Sequence, residues 1–272
     1  MNYSALLLDI IKSQASAKEI SWIETKASGS LQTLQTAFVA TPRFISKNII
    51  QSTDGIDGVS FQNWTLDKLV RAYFLTKLDS SDKDVYTNTL DTLFDTAENN
   101  EAVALISALP FLAYPENWML RATNAVRSNI GPVFDAIAFQ NPFPKKHFSE
   151  LAWNQLVLKC IFNDKPIHLI EGLDERANQE LANSISYLAH ERWSAGRTIP
   201  SQAWRLVSGF MNETIWPDIE HLFQSTAQSD HLAAVLVSKE TNYAAAKAAL
   251  AHHQELSQQV TDGVLSWKTL EN

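Results

Sequence analysis

Cysteine, glycine, proline and charge are all sparse in this 272-residue sequence, and each scarcity removes a class of protein. The single cysteine, Cys160, excludes an internal disulfide and fits a reducing compartment. Eight glycines and nine prolines leave few turn residues, which favours long helices over a many-stranded sheet. Charged residues make up 19%, too few for a disordered, charge-solvated chain. No apolar run approaches the roughly 18–20 residues that a membrane-spanning helix needs. The apolar start from Met1 to Ile11 has no basic region, contains Asp9 and ends without a cleavage-like site, so a cytoplasmic location is expected. Basic residues are outnumbered: the net charge is −8, and without a basic stripe no nucleic-acid partner is expected.

What is present is a 45% hydrophobic chain, large enough to bury a sizeable core, with eight tryptophans. Helical periodicity recurs nearly throughout. Leu6, Leu7, Ile10 and Ile11 share one helical face. Ser16 and Glu19 have the spacing of a capping box. A helix from about 31 to 40 should stop at Thr41-Pro42, because the residue before proline avoids the α region. From Gln51 to Asn63 the pattern breaks, with turn chemistry in Asp54-Gly55-Ile56-Asp57-Gly58. Helices are then predicted at about 65–79, 82–98 (capped within Asp79–Asp82), 101–112 and 115–130, the last interrupted by Gly131-Pro132. Further helices are predicted at about 146–162, from an N-cap at Asp174 to near Gly196, and at 201–211, 217–226, 230–239, 242–259 and 262–270. No strand signal and no fixed repeat period is found. The expected fold is all-α, a single multihelical domain over 1–272 of antiparallel helix pairs, either HEAT-like and solenoidal or a globular bundle.

Charge is unevenly spread. Between Pro115 and Phe210 stand ten basic and nine acidic residues, net +1, while the remainder holds 12 basic and 21 acidic, net −9. Six of the eight arginines and four of the eight tryptophans fall in that window. Arginine offers a planar fork of donors for carboxylate or phosphate, and tryptophan a flat apolar wall. Such a segment suits a pocket for an anionic or aromatic metabolite; it equally suits helices tied together by paired side chains. The helix at 146–162 is apolar nearly all round, yet it carries Asn154, Gln155 and Lys159, which need partners from neighbouring helices or from a ligand. In the helix at 174–196, Arg192 falls on the apolar face, so its guanidinium should reach inward. Arg176, Asn183, His190 and Arg197 recur every seven residues on the opposite face, which a solvated surface also explains.

Phosphate-loop, dinucleotide-binding, nucleophile-elbow and His-Glu-x-x-His motifs are absent, so neither a cofactor nor a metal is expected. His252 and His253 are adjacent and diverge by about 100° on a helix. His168 and Glu171 form one i, i+3 pair, a weak metal signal. Cys160 sits among apolar neighbours and reads as a core thiol.

Between Ala104 and Phe210 the sequence resembles the EboA family of bacterial proteins. The residues carrying this are Ala108-Leu-Pro110, Arg127-Ser-Asn-Ile-Gly-Pro-Val-Phe-Asp-Ala-Ile-Ala138, Asn141-Pro-Phe-Pro144, Ala152-Trp-Asn-Gln-Leu-Val-Leu-Lys159, Gly172-Leu-Asp-Glu-Arg-Ala-Asn178, Ala189-His-Glu-Arg-Trp-Ser-Ala-Gly-Arg197 and Trp204-Arg205. The resemblance implies a gene cluster that moves a small metabolite precursor toward the periplasm or envelope. Its neighbours there look like a prenyltransferase-type membrane protein and metal-dependent or sugar-phosphate-type enzymes. It supplies no catalytic residues. The expectation is therefore a non-enzymatic trafficking component whose ligand-binding candidates are Arg127, Asn154, Lys159, Arg176, His190, Arg192 and Arg197. The alternatives are a scaffold that docks other proteins of the same pathway, and an enzyme with His190 as general base and the arginines stabilising an anion.

Overall fold

The computed structural model describes residues 2–51 and 55–271 and is all-α among them, with antiparallel helices packed side by side and no sheet. Strand-like pairing is confined to two isolated bridges, Ile49 with Thr65 and Ile56 with Val59, inside the stretch where the helical pattern breaks. Ser52, Thr53 and Asp54 of that predicted stretch lie outside the described residues. The chain packs as two compact units, Met1–Ser149 and Glu150–Asn272.

The first unit holds α1 (Tyr3–Gln14), α2 (Ala17–Ala27), α3 (Leu31–Ala40), α4 (Leu66–Thr76), α5 (Lys83–Thr96), α6 (Asn99–Ala108), α7 (Met119–Arg127), α8 (Gly131–Ala138) and α9 (Phe143–His147). Helix α4 is its hub: α1, α3 and α6 all pack against it, and α6 continues onto α8. Accordingly α4 is buried at nearly every position, Arg71 included. That guanidinium donates from Nε to Phe38 O (3.1 Å) and faces Glu101 and Glu98 at 3.5 and 3.8 Å. The capping box at the start of α2 is formed as its spacing predicts, with Glu19 accepting from Ser16 N (2.8 Å) and Oγ (2.6 Å). Asp82 likewise caps α5 through Val85 N.

Three predicted boundaries move. Gly131-Pro132 opens α8 instead of interrupting a helix, with proline in the first turn, where its missing N–H has no helical acceptor to serve. The segment Pro115–Trp118 is a tight 3₁₀ turn leading into α7. The helix predicted over 146–162 is two, because Phe148 is extended between α9 and the next helix.

The second unit holds α10 (Glu150–Phe162), α11 (Gln179–Ser194), α12 (Trp216–Gln224), α13 (Gln228–Glu240), α14 (Ala244–Ala249) and α15 (Gln254–Thr261). Here α13 is the hub, buried without interruption from Leu232 to Ser238, with α12, α14 and α15 around it. The predicted helices at 201–211 and 262–270 are 3₁₀ turns, Ser201–Leu206, Ser208–Phe210 and Trp267–Leu270, and all three pack on α13 as well. Cys160 is fully buried. No helix among the described residues is long and apolar enough to cross a membrane.

Candidate functional site

The polar groups of the central segment are organised around the two ends of α11. At its start the cap is Asn178, not Asp174, so the helix begins four residues later than the sequence predicts. Asn178 Oδ1 accepts from Leu181 N (2.9 Å) and from Asn154 Nδ2 (3.1 Å), while Asn178 Nδ2 donates to Asn154 Oδ1 (2.9 Å) and Arg176 O (3.2 Å). The buried amide of Asn154 thus finds its partner on a neighbouring helix, and Asn154 and Arg176 meet through Asn178. Asp174 is drawn instead to Arg205 Nη2 at 2.5 Å. The Arg176 guanidinium lies 4.8 Å from the centre of the buried Trp153 ring. Burial pulls its pKa below the usual arginine range, with Glu150 partly offsetting that.

At the other end of α11, the Arg192 side chain is largely covered, but its guanidinium bonds groups at the surface instead of entering the core. Its Nε donates to Thr198 O (2.7 Å), Nη1 to Phe162 O (2.8 Å) and Nη2 to both Asp164 oxygens at 3.2 Å. Arg197 is exposed and follows Gly196, whose φ of +67° ends the helix; its backbone N–H returns to Arg192 O. Because α11 spans only Gln179–Ser194, the predicted seven-residue line keeps just Asn183 and His190 on the helix. Arg127 is exposed at the end of α7 in the first unit, and Lys159 is half-buried on α10.

His190 is the predicted residue with the most distinctive surroundings. Its Nε2 lies 2.5 Å from Asp218 Oδ1, and Ser186 Oγ donates to Asp218 Oδ2 at 2.5 Å. The carboxylate is fully buried while the imidazole is 56% exposed, so an anchored ring is presented outward. Asp218 stands in the first turn of α12, where the helix dipole favours a negative charge. Trp193, half-buried, stacks on the buried Trp204 (5.9 Å, 16°), and the exposed His221 ring, tilted by 38°, has its centre 4.2 Å from that of Trp193. His190 itself is 5.6 Å from Trp193.

His190 and Trp193 stand out in the sequence, whereas Ser186, Asp218 and His221 do not. A signal for them existed: Ser186, His190 and Trp193 fall at i, i+4, i+7 on α11, and Asp218 and His221 at i, i+3 on α12. What the sequence did not show is that these two stripes face one another.

Serine, histidine and aspartate are here, but not in the order of a nucleophilic triad. There the serine binds the nitrogen opposite the aspartate; here Ser186 and His190 both bind the same carboxylate. Nε2 is committed to Asp218, which leaves Nδ1 for a ligand. It accepts from an N–H or O–H when the ring is neutral and donates to a carboxylate or phosphate when the ring is protonated. Among the described residues no group of three or more His, Cys, Asp or Glu side chains is arranged to hold a metal ion.

A family model described as "Metabolite traffic protein EboA" matches residues 3–208. The chain belongs to the EboA family. The match extends well beyond the 104–210 stretch in which the resemblance is legible by eye, crosses both compact units and stops short of Asp218. EboA membership suggests a role associated with metabolite traffic. No curated protein and no solved structure matches the chain.

Proposed function

We propose that this EboA member is a non-enzymatic component of small-metabolite traffic, and that the His190 corner of the second unit is where it holds an anionic aromatic ligand. The observation that carries this reading is the half-exposed imidazole fixed on a buried carboxylate beside Trp193, which stacks on Trp204 and neighbours the His221 ring. A planar ligand would lie against the exposed rings, and its polar group would meet the exposed part of the His190 imidazole. Exposed Arg197, three residues beyond the end of α11, would add positive charge at that end. The shared hold of Ser186 on Asp218 supports binding over hydrolysis, since the hydroxyl is directed away from the imidazole.

The test is a thermal-shift screen with aromatic carboxylates and phosphates, repeated on His190→Ala. A ligand at about 100 times its Kd should stabilise the native chain by about 2.7 kcal/mol. The effect should vanish in His190→Ala and be weakened in Trp193→Leu. Equal shifts in the wild type and His190→Ala would remove the corner from consideration.

One observation favours the second reading, a scaffold for proteins of the same pathway. Asn154 and Arg192 are satisfied by protein groups, as a pre-formed docking body requires. Under that reading, affinity capture with the full chain returns pathway proteins that His190→Ala retains.

A further inference from the structure

A separate recess lies in the first unit between α2 and α3. It is an open groove of about 820 Å³, within the size range of small-molecule sites. Its apolar part is an aromatic pair, Trp22 stacked on Phe44 at 4.8 Å and 16°. The pair is fixed from behind, because the Trp22 ring also meets the buried Phe74 of α4 edge-on at 5.7 Å. Phe44 is nonetheless 51% exposed, held there by backbone hydrogen bonds from Phe44 N and Ile45 N to Thr41 O.

The polar part is of one sign. Lys18, Trp22 and Lys26 fall at i, i+4, i+8 on α2, so a lysine lies on either side of the tryptophan along one stripe, and both line the cavity. No carboxylate lines it. From Ser16 to Lys47 the chain has four basic residues (Lys18, Lys26, Arg43, Lys47) and two acidic ones. Both acids are engaged: Glu24 pairs with Lys12 at 2.8 Å, and Glu19 accepts from Ser16 and Ser46. A cationic recess on a chain of net charge −8 concentrates anions locally.

From this we infer that the α2–α3 groove is a second binding site, for an amphipathic small-molecule anion with a flat multi-ring body and one carboxylate or sulfonate. The body lies on the Trp22–Phe44 pair and the anionic group meets Lys18 or Lys26. The concave form of the recess suits a discrete molecule better than the flat surface of a bilayer. This inference is independent of the His190 corner, and its readout is local to the groove.

The experiment uses the full chain and 8-anilino-1-naphthalenesulfonate as the probe. Amine labelling followed by mass spectrometry should show Lys18 and Lys26 protected when the probe is bound, with Lys47 and Lys77 labelling unchanged. A saturable component of probe binding should weaken about two- to fivefold in the Lys18→Met, Lys26→Met double variant, as expected for losing an exposed charge contact. Phe44→Ala should weaken the same component, and His190→Ala should leave it in place. An uncharged analogue, N-phenyl-1-naphthylamine, should not protect the lysines. Undiminished fluorescence in the lysine variant, or no protection of Lys18 and Lys26, would overturn the inference. So would lysine-dependent binding to phosphatidylglycerol vesicles without saturable probe binding, which would mark a membrane-facing surface instead. Because both lysines line an open recess, the double variant also tests the site if Phe44→Ala fails to fold.

Discussion

The two units differ in how an enclosed charge is partnered: the first encloses a guanidinium together with a buried carboxylate, the second a carboxylate against an exposed imidazole. In the first, the cation is inside: the Arg71 side chain is 2% exposed, and its carboxylates run outward from Glu101 to Glu98. In the second, the anion is inside: Asp218 is enclosed, and its imidazole partner faces water. A buried guanidinium cannot shed its charge, so the surrounding helices must hold it permanently, and α4, α3 and α6 converge on it. A buried carboxylate with an exposed imidazole leaves the outer partner available to solvent or a ligand. One arrangement ties helices together; the other presents a group.

The largest expected effect tests the first half of that contrast. Arg71→Met strands the buried Glu101 carboxylate and should cost about 3–5 kcal/mol in urea unfolding. Replacing both members, Arg71→Met with Glu101→Leu, should recover most of the loss, because no uncompensated charge remains. Failure of the double variant to recover would show that Arg71 stabilises chiefly through Phe38 O and the Phe38 ring.

A smaller loss is expected on the other side. Asp218→Asn keeps the shape of the side chain but removes the charge that Ser186 and His190 share, and should cost about 1.5–3 kcal/mol. The accompanying change should be a freed His190 ring, seen as altered imidazole resonances in NMR, with the helices otherwise intact. A cost equal to that of Arg71→Met, with no change at His190, would erase the distinction between the two units.

How far the sequence foretold this depends on whether local chemistry or tertiary packing made the choice. Ser16 with Glu19, Asp82 and the end near Gly196 were readable because each cap is satisfied within a few residues. Asp174 and Asn178 are both good caps, and what selects Asn178 is a reciprocal amide pair with Asn154 on another helix, while Arg205 takes Asp174. Ser201–Phe210 carries helical periodicity, but the switch to 3₁₀ geometry accompanies its packing on α13, which no window of sequence contains. His190 was visible as a polar residue at helical spacing. Asp218 was not, because a first-turn aspartate ordinarily reads as a solvated N-terminal charge.

The smallest effect sharpens the comparison by giving a charge that is fully inside neither unit. Glu19 is half-buried, and partial burial alone would raise its pKa. Hydrogen bonds from Ser16 and Ser46 outweigh that and lower it to about 2, against 4.5 for an ordinary glutamate. A depressed folded pKa means that the carboxylate stabilises the native chain fully above the unfolded value and loses that contribution as the folded group takes up its proton. The contribution should therefore be complete above pH 4.5 and disappear as pH falls from 4.5 toward 2. Glu19→Gln keeps a capping-box side chain but not the charge, so its deficit should be about 0.5–1 kcal/mol at pH 6, discounted for solvent screening. Across the acid window that deficit should shrink toward zero, whereas the deficit of Arg71→Met should remain wherever Glu101 is ionised. Parallel loss of both differences at the same pH would mean that global acid unfolding, not Glu19, sets the profile.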